Sequence, residues 1–272
     1  MANASIRRPA VAGAFYPADP RALNTMIGDL LNAAMPLEKV HWPKAVIVPH
    51  AGYIYSGPIA ASAYASLRGA APFYRRVVLL GPAHRQPVDG FALPASQTFA
   101  TPLGEISLDR TAWEQLQLAP DIHVDEAAHA LEHSLEVQLP FLQTVLEHIT
   151  VVPLLVGRTT AGRVADVLET LWGQEETLIV ISSDLSHYLP YHQANWRDQA
   201  TVEEILRLQP QLNFEQACGA LPVNGLLLAA QRHHLVPTLL DHRNSGDTSG
   251  DRNRVVGYTS IAFCQERPHV SH

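Results

Sequence analysis

The stretch Ala45-Val46-Ile47-Val48-Pro49-His50-Ala51-Gly52-Tyr53 contains the pattern that decides the fold. Its first four residues are aliphatic without alternation, which is typical of a short strand buried on both faces of a sheet. A histidine and a glycine follow, and residues 58–67 are then small and apolar, with Pro58 near a helix start. The stretch therefore predicts a buried strand, a polar loop and a helix.

The same unit recurs along the chain. Further aliphatic runs, each predicted to be a buried strand, are Val77–Leu80, Ile149–Val156, Leu178–Ile181 and Val255–Phe263. Further stretches with helical spacing of apolar residues are Thr160–Leu171, Trp196–Leu208 and Val223–His233. This alternation predicts an α/β fold with three layers, α/β/α, around a mostly parallel central sheet.

The middle of the chain departs from the alternation. Residues 90–93 and 104–108 are short strand-like segments with turn residues and no helix between them. We therefore expect a short hairpin inserted in, or appended to, the main sheet. Because no repeat or flexible linker divides the sequence, we also expect one domain across residues 1–272.

Composition excludes several classes of protein. Of the 272 residues, 47% are hydrophobic and 17% are charged, which is too apolar for a disordered chain. The net charge is −7 and no long basic run occurs, which argues against nucleic acid as a partner. No apolar run has the ~20 residues of a membrane helix, and residues 1–15 lack the apolar block of a signal peptide. We expect no membrane association and a cytoplasmic location.

The cysteines and histidines limit the kinds of metal site. Cys218 and Cys264 lie far apart and outside a Cys-x-x-Cys pattern, which excludes a disulfide scaffold and an all-cysteine metal site. We interpret both as small core residues because each is embedded in apolar sequence. With 14 histidines in the chain, a bound metal would be held by nitrogen and oxygen.

Histidines follow three of the predicted strands. His50 follows the first strand, His84 follows residues 77–80, and His187 follows residues 178–181. In open α/β sheets, ligands bind beyond the carboxyl ends of the strands. One such histidine is commonly a core residue, but three at the same edge favour a ligand site. Two imidazoles and one anionic ligand would leave positions open, as a metal that binds dioxygen or activates water requires.

A further cluster is Glu132-His133-Ser134-Leu135-Glu136, which His129 precedes. At helical spacing, His129, Glu132, His133 and Glu136 occupy one side of a helix. We interpret His129 and Glu132 as part of an exposed charged face. His133 and Glu136 stand at the start of an apolar stretch, so we predict that they orient ligands or substrate from behind the site.

The segment Asn244–Asp251 is rich in glycine and acidic residues and precedes the last predicted strand. Its ordinary interpretation is a turn. A calcium loop is disfavoured because the spacing lacks the 12-residue ligand order with its terminal glutamate. Its carboxylates or backbone amides could instead close over the site.

Taken together, these motifs resemble one known family. The segments that carry the resemblance are Arg8–Pro17, Val48–Gly57, Leu80–His84, Glu132–Phe141 and Ser182–His187. They are similar to segments of the Memo family, also called protein B of the AmmeMemoRadiSam system. The resemblance spans Arg8 to Phe263, and five motifs in order make it specific.

The resemblance implies a fold like that of the class III extradiol dioxygenases, which are non-haem iron enzymes. It implies His50 and His84 as metal ligands, with His187 as a nearby acid/base group that Asp184 orients. Animal members have a cysteine as third ligand, and an ungapped match places Thr248 there. We therefore expect Asp247 or Asp251 to complete the site. A site without thiolate favours iron(II) over copper, and zinc is an alternative.

Three functions follow from these expectations. The first is a metal-dependent oxidoreductase in which Tyr53 and Tyr55 either line an aromatic substrate slot or simply pack. The second is a non-catalytic module for phosphorylated peptides, with Arg85 as the phosphate contact. The third is a zinc-dependent hydrolase with Glu136 or Asp184 as the base. The family name further implies a functional link to a radical SAM protein and an AMMECR1-like protein.

Overall fold

The structure is a computed structural model that describes residues 5–34 and 42–265. Within those ranges the strands are β1 (Ile6–Arg7), β2 (Ala45–Val48), β3 (Arg76–Pro82), β4 (Phe91–Leu93), β5 (Thr98–Thr101), β6 (Gly104–Leu108), β7 (Ile122–Val124), β8 (Thr150–Val156), β9 (Thr177–Ser182), β10 (His187–Leu189), β11 (Leu235–Asn244) and β12 (Val255–Gln265). The α-helices are α1 (Pro20–Ala33), α2 (Tyr53–Ser66), α3 (Arg110–Leu116), α4 (Glu126–Ala130), α5 (Leu139–Val145), α6 (Ala161–Leu171), α7 (Tyr191–Leu206), α8 (Ala220–Arg232) and α9 (Ser245–Thr248). Short 3-10 helices span Arg68–Phe73 and Glu136–Gln138.

These strands form one mixed sheet whose centre is parallel. The central order is β8-β3-β9-β2, and all three pairings between these strands are parallel. On one side, β12 joins β2 and also pairs with β10 and β11, always antiparallel. On the other side, β6 and β8 pair in parallel. The structure confirms the predicted parallel centre.

Helices cover both faces of the sheet. Alternate residues of each central strand point to opposite faces, and each set packs against a different group of helices. In β2, Val46 and Val48 belong to one hydrophobic cluster, with residues of α1, α2 and α5. Ala45 and Ile47 belong to a second cluster, with residues of α6 and α8. The three-layer α/β/α architecture is therefore confirmed.

Some local predictions were wrong. Residues 90–93 and 104–108 do contain strands, but β4 pairs with β7 and β8, while the hairpin partner of β6 is β5. The helix expected through residues 129–136 ends at Ala130, and a turn leads to the 3-10 helix at Glu136. β11 was not predicted, since polar residues interrupt its apolar ones. No helix in the two described ranges is long and apolar enough to cross a membrane.

Candidate metal centre

The candidate site lies where three neighbouring parallel strands end. β9 lies between β3 and β2, so the carboxyl ends of all three are adjacent. His50 follows β2 by two residues, His84 follows β3 by two residues, and Ser182 is the last residue of β9. The strand order thus brings together side chains that are far apart in the sequence.

Three imidazoles meet at this edge. One ligand atom from each of His50, His84 and His133 lies within 4.8 Å of the other two. The ring centroids are 4.9 to 5.5 Å apart. Nitrogens bound to one ion at about 2.1 Å lie at most about 4.2 Å apart, so small side-chain rotations suffice to bring these atoms onto one ion. The predicted meeting of His50 and His84 is confirmed, and His133 joins them.

A hydrogen-bond chain holds the ring of His50. Gln138 Nε2 donates to the Ser182 hydroxyl at 2.9 Å, and that hydroxyl donates to the carbonyl of Ser134 at 2.6 Å. Because its one hydrogen is used in that bond, the Ser182 hydroxyl must accept a hydrogen bond from Nδ1 of His50, at 2.9 Å. Because Nδ1 carries the hydrogen, Nε2 keeps its lone pair for a metal.

Glu132 holds the other two histidines. Its carboxylate accepts from the backbone N–H of His84 at 2.5 Å and from Nδ1 of His84 at 3.0 Å. It also accepts from the backbone N–H groups of His133 and Ser134, at 2.8 and 2.9 Å. An ionised carboxylate only accepts, so Nδ1 of His84 carries the hydrogen and Nε2 is free. Nδ1 of His133 is buried and forms no hydrogen bond within the described residues, although Glu132 Oε1 lies 3.3 Å away.

Burial keeps the imidazoles of His50 and His133 uncharged at neutral pH. Burial, assisted by the charge of His84, lowers the pKa of His50 to about 3. Burial, assisted by His50, lowers the pKa of His133 to about 4. Burial alone would raise the pKa of Glu132, but hydrogen bonds from His84 and from the backbone N–H of Ser134 hold it well below its usual range. The site therefore presents the neutral imidazoles of His50 and His133 beside the negative charge of Glu132, which suits a divalent cation.

Asp184 and His187 lie next to this centre. Asp184 is buried and accepts the backbone N–H of His50 at 2.7 Å. Burial raises the pKa of Asp184, while the charge of His187 acts in the opposite direction. His187 begins β10, opposite Val256 of β12, and lies near enough to His50 to lower its pKa. Their predicted acid/base and orienting roles stay predictions.

Cys218 lies in the site, contrary to its interpretation as a core residue. Its sulfur is 3.3 Å from Nε2 of His50 and accepts the backbone N–H of Asp184 at 3.3 Å. Burial, followed by the charge of Asp184, raises the pKa of this thiol to about 12. A neutral thiol therefore faces the His50 nitrogen that a metal would use.

The segment before the last strand does not supply a ligand atom to the three-histidine cluster. Asp247 accepts the hydroxyl of Tyr191 at 2.6 Å and caps α9 by accepting the backbone N–H of Asn244 at 2.9 Å. The Thr248 hydroxyl donates to the carbonyl of Ser245, and Asp251 accepts the backbone N–H of Asn253. Both oxygens of Asp247 thus have structural partners.

Other predicted site residues also have partners elsewhere. Glu136 accepts from Arg7 at 2.6 Å and from the Tyr16 hydroxyl at 2.6 Å, so its carboxylate faces the N-terminal segment. Tyr53 is buried, its ring is tilted against that of Tyr16 with 5.5 Å between centroids, and its hydroxyl donates to the carbonyl of Val137, so it packs in the core. Tyr55 and Arg85 are exposed.

Four residues at the site were not predicted as functional residues: Glu132, Ser182, Gln138 and Cys218. Glu132 was mistaken for a surface residue because the segment was expected to be helical. Ser182 and Gln138 lie inside the quoted motifs. The signal for Ser182 was a polar residue at the end of a buried strand, and the signal for Gln138 was a polar residue within an apolar run. Nothing local to Cys218 indicated its contact with His50, because 168 residues separate them.

A cavity of about 510 Å³ lies at the opposite edge of the sheet. It is lined by Lys44 and Thr177, where β2 and β9 begin, and by aromatic side chains that include Trp172. The Lys44 ammonium donates to the carbonyls of Trp172, Gln174 and Thr177, which use all three of its N–H groups. Lys44 therefore has no N–H group left for a ligand in this cavity.

The chain is similar to several known proteins. A family model described as Memo-like protein matches residues 7–262. A MEMO1 family protein of Sulfolobus acidocaldarius is 36% identical over 284 residues and one of Aquifex aeolicus is 37% identical over 270; each alignment covers 95% of this chain and 99% of the relative. The crystal structure of uncharacterized protein JW3007 from Escherichia coli K12 has a TM-score of 0.53 at 16% identity, covering 81% of this chain and 99% of that one, which shows the fold alone.

Proposed function

The chain belongs to the Memo-like family, and from that premise we propose that it is a mononuclear metal-dependent oxidoreductase of the dioxygenase-like type. The observation that carries the proposal is the meeting of His50, His84 and His133, with ligand atoms within 4.8 Å of one another. Three protein ligands leave further coordination positions for substrate, as catalytic metal sites require.

The donor set suits several divalent metals. Neutral imidazole nitrogens bind iron, copper and zinc well. We propose iron(II), which His50, His84 and His133 would hold and which would supply redox chemistry with dioxygen. The buried carboxylate of Glu132 has only histidine and backbone N–H partners within the described residues, so its negative charge also favours a cation.

The remaining residues orient ligands and move protons. Glu132 and Ser182 fix the ring orientation of His84 and His50 through their Nδ1 atoms. Asp184 fixes the backbone of His50. His187 would accept a proton from a substrate hydroxyl and return it later, as an imidazole can near neutral pH.

Metal titration tests the proposal. Protein stripped with chelator should bind one iron(II) per chain under anaerobic conditions, and His50→Ala and His84→Ala should each abolish this binding. His123→Ala, which removes an exposed histidine on β7, should bind like the wild type. Binding that survives in both site variants, or a wild-type chain that binds no metal, would contradict the proposal.

A zinc-dependent hydrolase is the second candidate, and one observation favours it. The third side chain of the cluster is His133 rather than a carboxylate, and three histidines also form a catalytic zinc site. In that case Asp184 would serve as the base, since Glu136 is engaged by Arg7. Zinc retained through purification without added metal would favour hydrolysis over oxygen chemistry.

The phosphopeptide-binding alternative has a separate test. Its predicted contact, Arg85, is exposed beside His84. Phosphopeptide affinity that is identical with and without chelator, and lost in Arg85→Gln, would separate recognition from the metal centre.

A further inference from the structure

An exposed aromatic residue on a strained backbone lies beside the candidate metal centre. Tyr188 directly follows His187 and has a φ of 60°, a left-handed conformation that residues with side chains rarely adopt. The pairing of β10 with β12 shifts register between His187 and Leu189, and the Tyr188 side chain is 62% exposed. Such strain in a large residue is maintained by its surroundings, and it concentrates at functional sites.

Arginines accompany this tyrosine. The guanidinium carbon of Arg254 lies 5.0 Å from the centroid of the Tyr188 ring, and that of Arg252 lies 4.4 Å from the ring of Tyr191. Both arginines are exposed, and neither forms an ion pair with a residue of the described ranges. In a chain with a net charge of −7, this part of the surface offers two guanidinium groups to an anion.

Strand pairing places these groups at the same edge as the histidines. β12 runs antiparallel to β2, so its first residues lie beyond the carboxyl end of β2, where His50 lies. The backbone N–H of Leu185 donates to the carbonyl of Gly257, and that of Gly257 donates to Ser186, both at 2.8 Å. These bonds fix the start of β12 against the segment that carries Asp184 and His187.

The electrostatics of Tyr258 are consistent with this convergence. Burial raises the pKa of this tyrosine, and the nearby Asp184, Tyr55 and Tyr188 raise it further. Tyr258 on β12 is therefore near both Asp184, which accepts the backbone N–H of His50, and Tyr188. The ring centroids of Tyr188 and His187 are 5.8 Å apart, so Tyr188 lies directly beside the histidine that neighbours the candidate site.

We propose that Tyr188 and Arg254 form a substrate-binding subsite at the mouth of the metal centre, and that the substrate is a planar aromatic ring bearing a carboxylate. The guanidinium binds the carboxylate through paired N–H groups, and the Tyr188 ring covers one face of the substrate. This inference rests on the proposed function only in placing the reactive oxygens of the substrate at the histidines.

An arginine over an aromatic ring is not by itself a binding site. The guanidinium carbon of Arg110 lies 3.4 Å from the ring centroid of Trp113, on α3. Asp109, which caps the start of α3, accepts from Arg76 at the amino end of β3. This pair lies at the edge opposite the histidines and has no bulge or left-handed residue within it. It provides a matched control.

Calorimetry with two probes of equal shape tests the subsite. The probes are 3,4-dihydroxybenzoate and its neutral amide, 3,4-dihydroxybenzamide, titrated into cobalt(II)-loaded and metal-free protein. The wild type should bind the carboxylate about 10-fold more tightly, in line with one charge-assisted hydrogen-bonded pair. Arg254→Gln should abolish this preference, and Arg254→Lys should keep part of it because the charge remains without the planar fork. Tyr188→Ala should weaken both probes, and Arg110→Gln should change neither.

Several results would overturn the subsite. These are a wild type without preference for the carboxylate, a preference that survives in Arg254→Gln, or an equal loss in Arg110→Gln. Cobalt binding is measured separately. A chain that binds no cobalt would refute the proposed function. In that case, the relative affinities of the two probes for the metal-free protein still test the subsite. Cobalt bound by the histidines with no preference between probes would refute the subsite alone.

Discussion

Glu132 and Glu136 lie four residues apart and are both buried, with 2% and 0% exposure, yet they belong to two different regions. The carboxylate of Glu132 accepts N–H groups of His84, His133 and Ser134 at the candidate metal centre. That of Glu136 accepts from Arg7, from the Tyr16 hydroxyl and from the backbone of residues 10 and 11. The role of a buried carboxylate therefore depends on the donors that reach it.

The two regions also differ in charge balance. Glu136 forms a 2.6 Å ion pair with the buried guanidinium of Arg7, so its charge is compensated within the protein and serves folding. Glu132 has no lysine or arginine partner in the described part of the chain, so part of its charge is available to a cation at the histidines. The charge of Glu136 is balanced within the protein, whereas that of Glu132 is not balanced by a lysine or arginine of the described residues.

Glu136→Gln should produce the largest effect, because it leaves the Arg7 charge buried without its partner. We expect a loss of about 3 to 5 kcal/mol in the free energy of unfolding, measured with denaturant. Arg158→Met, which removes an exposed pair with Asp89, should cost at most about 1 kcal/mol. Equal effects of the two substitutions would show that the N-terminal region is not held by its buried ion pair.

The pH dependence of stability should come next in size, through His129. The backbone carbonyl of His129 accepts from Arg7, and its ring bonds the carbonyl of Ala92 at 2.9 Å. Burial lowers the pKa of His129 from 6.5 to about 4. The unfolded chain therefore binds a proton at a higher pH than the fold does, so this contribution is complete above pH 6.5 and is lost as the pH falls toward 4.

The lowering of the His129 pKa from 6.5 to about 4 corresponds to roughly 3 kcal/mol in the free energy of unfolding. Unfolding curves of the wild type and of His129→Gln between pH 4 and 7 provide the measurement. The wild type should lose more stability than the variant over that interval. Parallel pH profiles would mean that His129 has the same pKa in the folded and the unfolded protein, which would contradict its burial in the structure.

The effect of Glu132→Gln should be the smallest of the three. We expect it in the affinity for metal, whereas the two preceding effects are in the free energy of unfolding. Removing the carboxylate that holds His84 should lower cobalt(II) affinity by about 10- to 100-fold, equivalent to about 1.4 to 2.7 kcal/mol. Glu136→Gln is the matched control and should leave the cobalt affinity of the folded protein unchanged. If the two variants lose cobalt affinity equally, the separation of the two regions is wrong.

The predictable parts of the fold were those in which burial is periodic along the chain. β2 spans the predicted residues 45–48, and β3, β8, β9 and β12 each include most or all of a predicted aliphatic run. An unbroken aliphatic segment fits only a strand covered on both faces, so neighbouring residues suffice to identify it. The same reasoning located His50 and His84 at strand ends.

The unpredicted parts depend on distant partners. The turn that replaced the expected helix after Ala130 is held by Glu132, which accepts N–H groups of His133 and Ser134, and by Arg7, which donates to the carbonyl of Glu132. Helical spacing around Glu132 carried no information about Arg7, which is 125 residues away. Contact between Cys218 and His50 was hidden for the same reason.

The sequence by itself determined the strands β2, β3, β8, β9 and β12, the layered architecture and the edge at which two histidines meet, because each follows from the apolar pattern of nearby residues. Only the tertiary structure decided that His133 is the third imidazole, that Glu132 and Glu136 face different regions, and that Asp247 caps a helix. Hydrophobic burial is non-directional and leaves a periodic record in the chain. A hydrogen bond requires one specific partner, and the partner is chosen by how the whole chain folds.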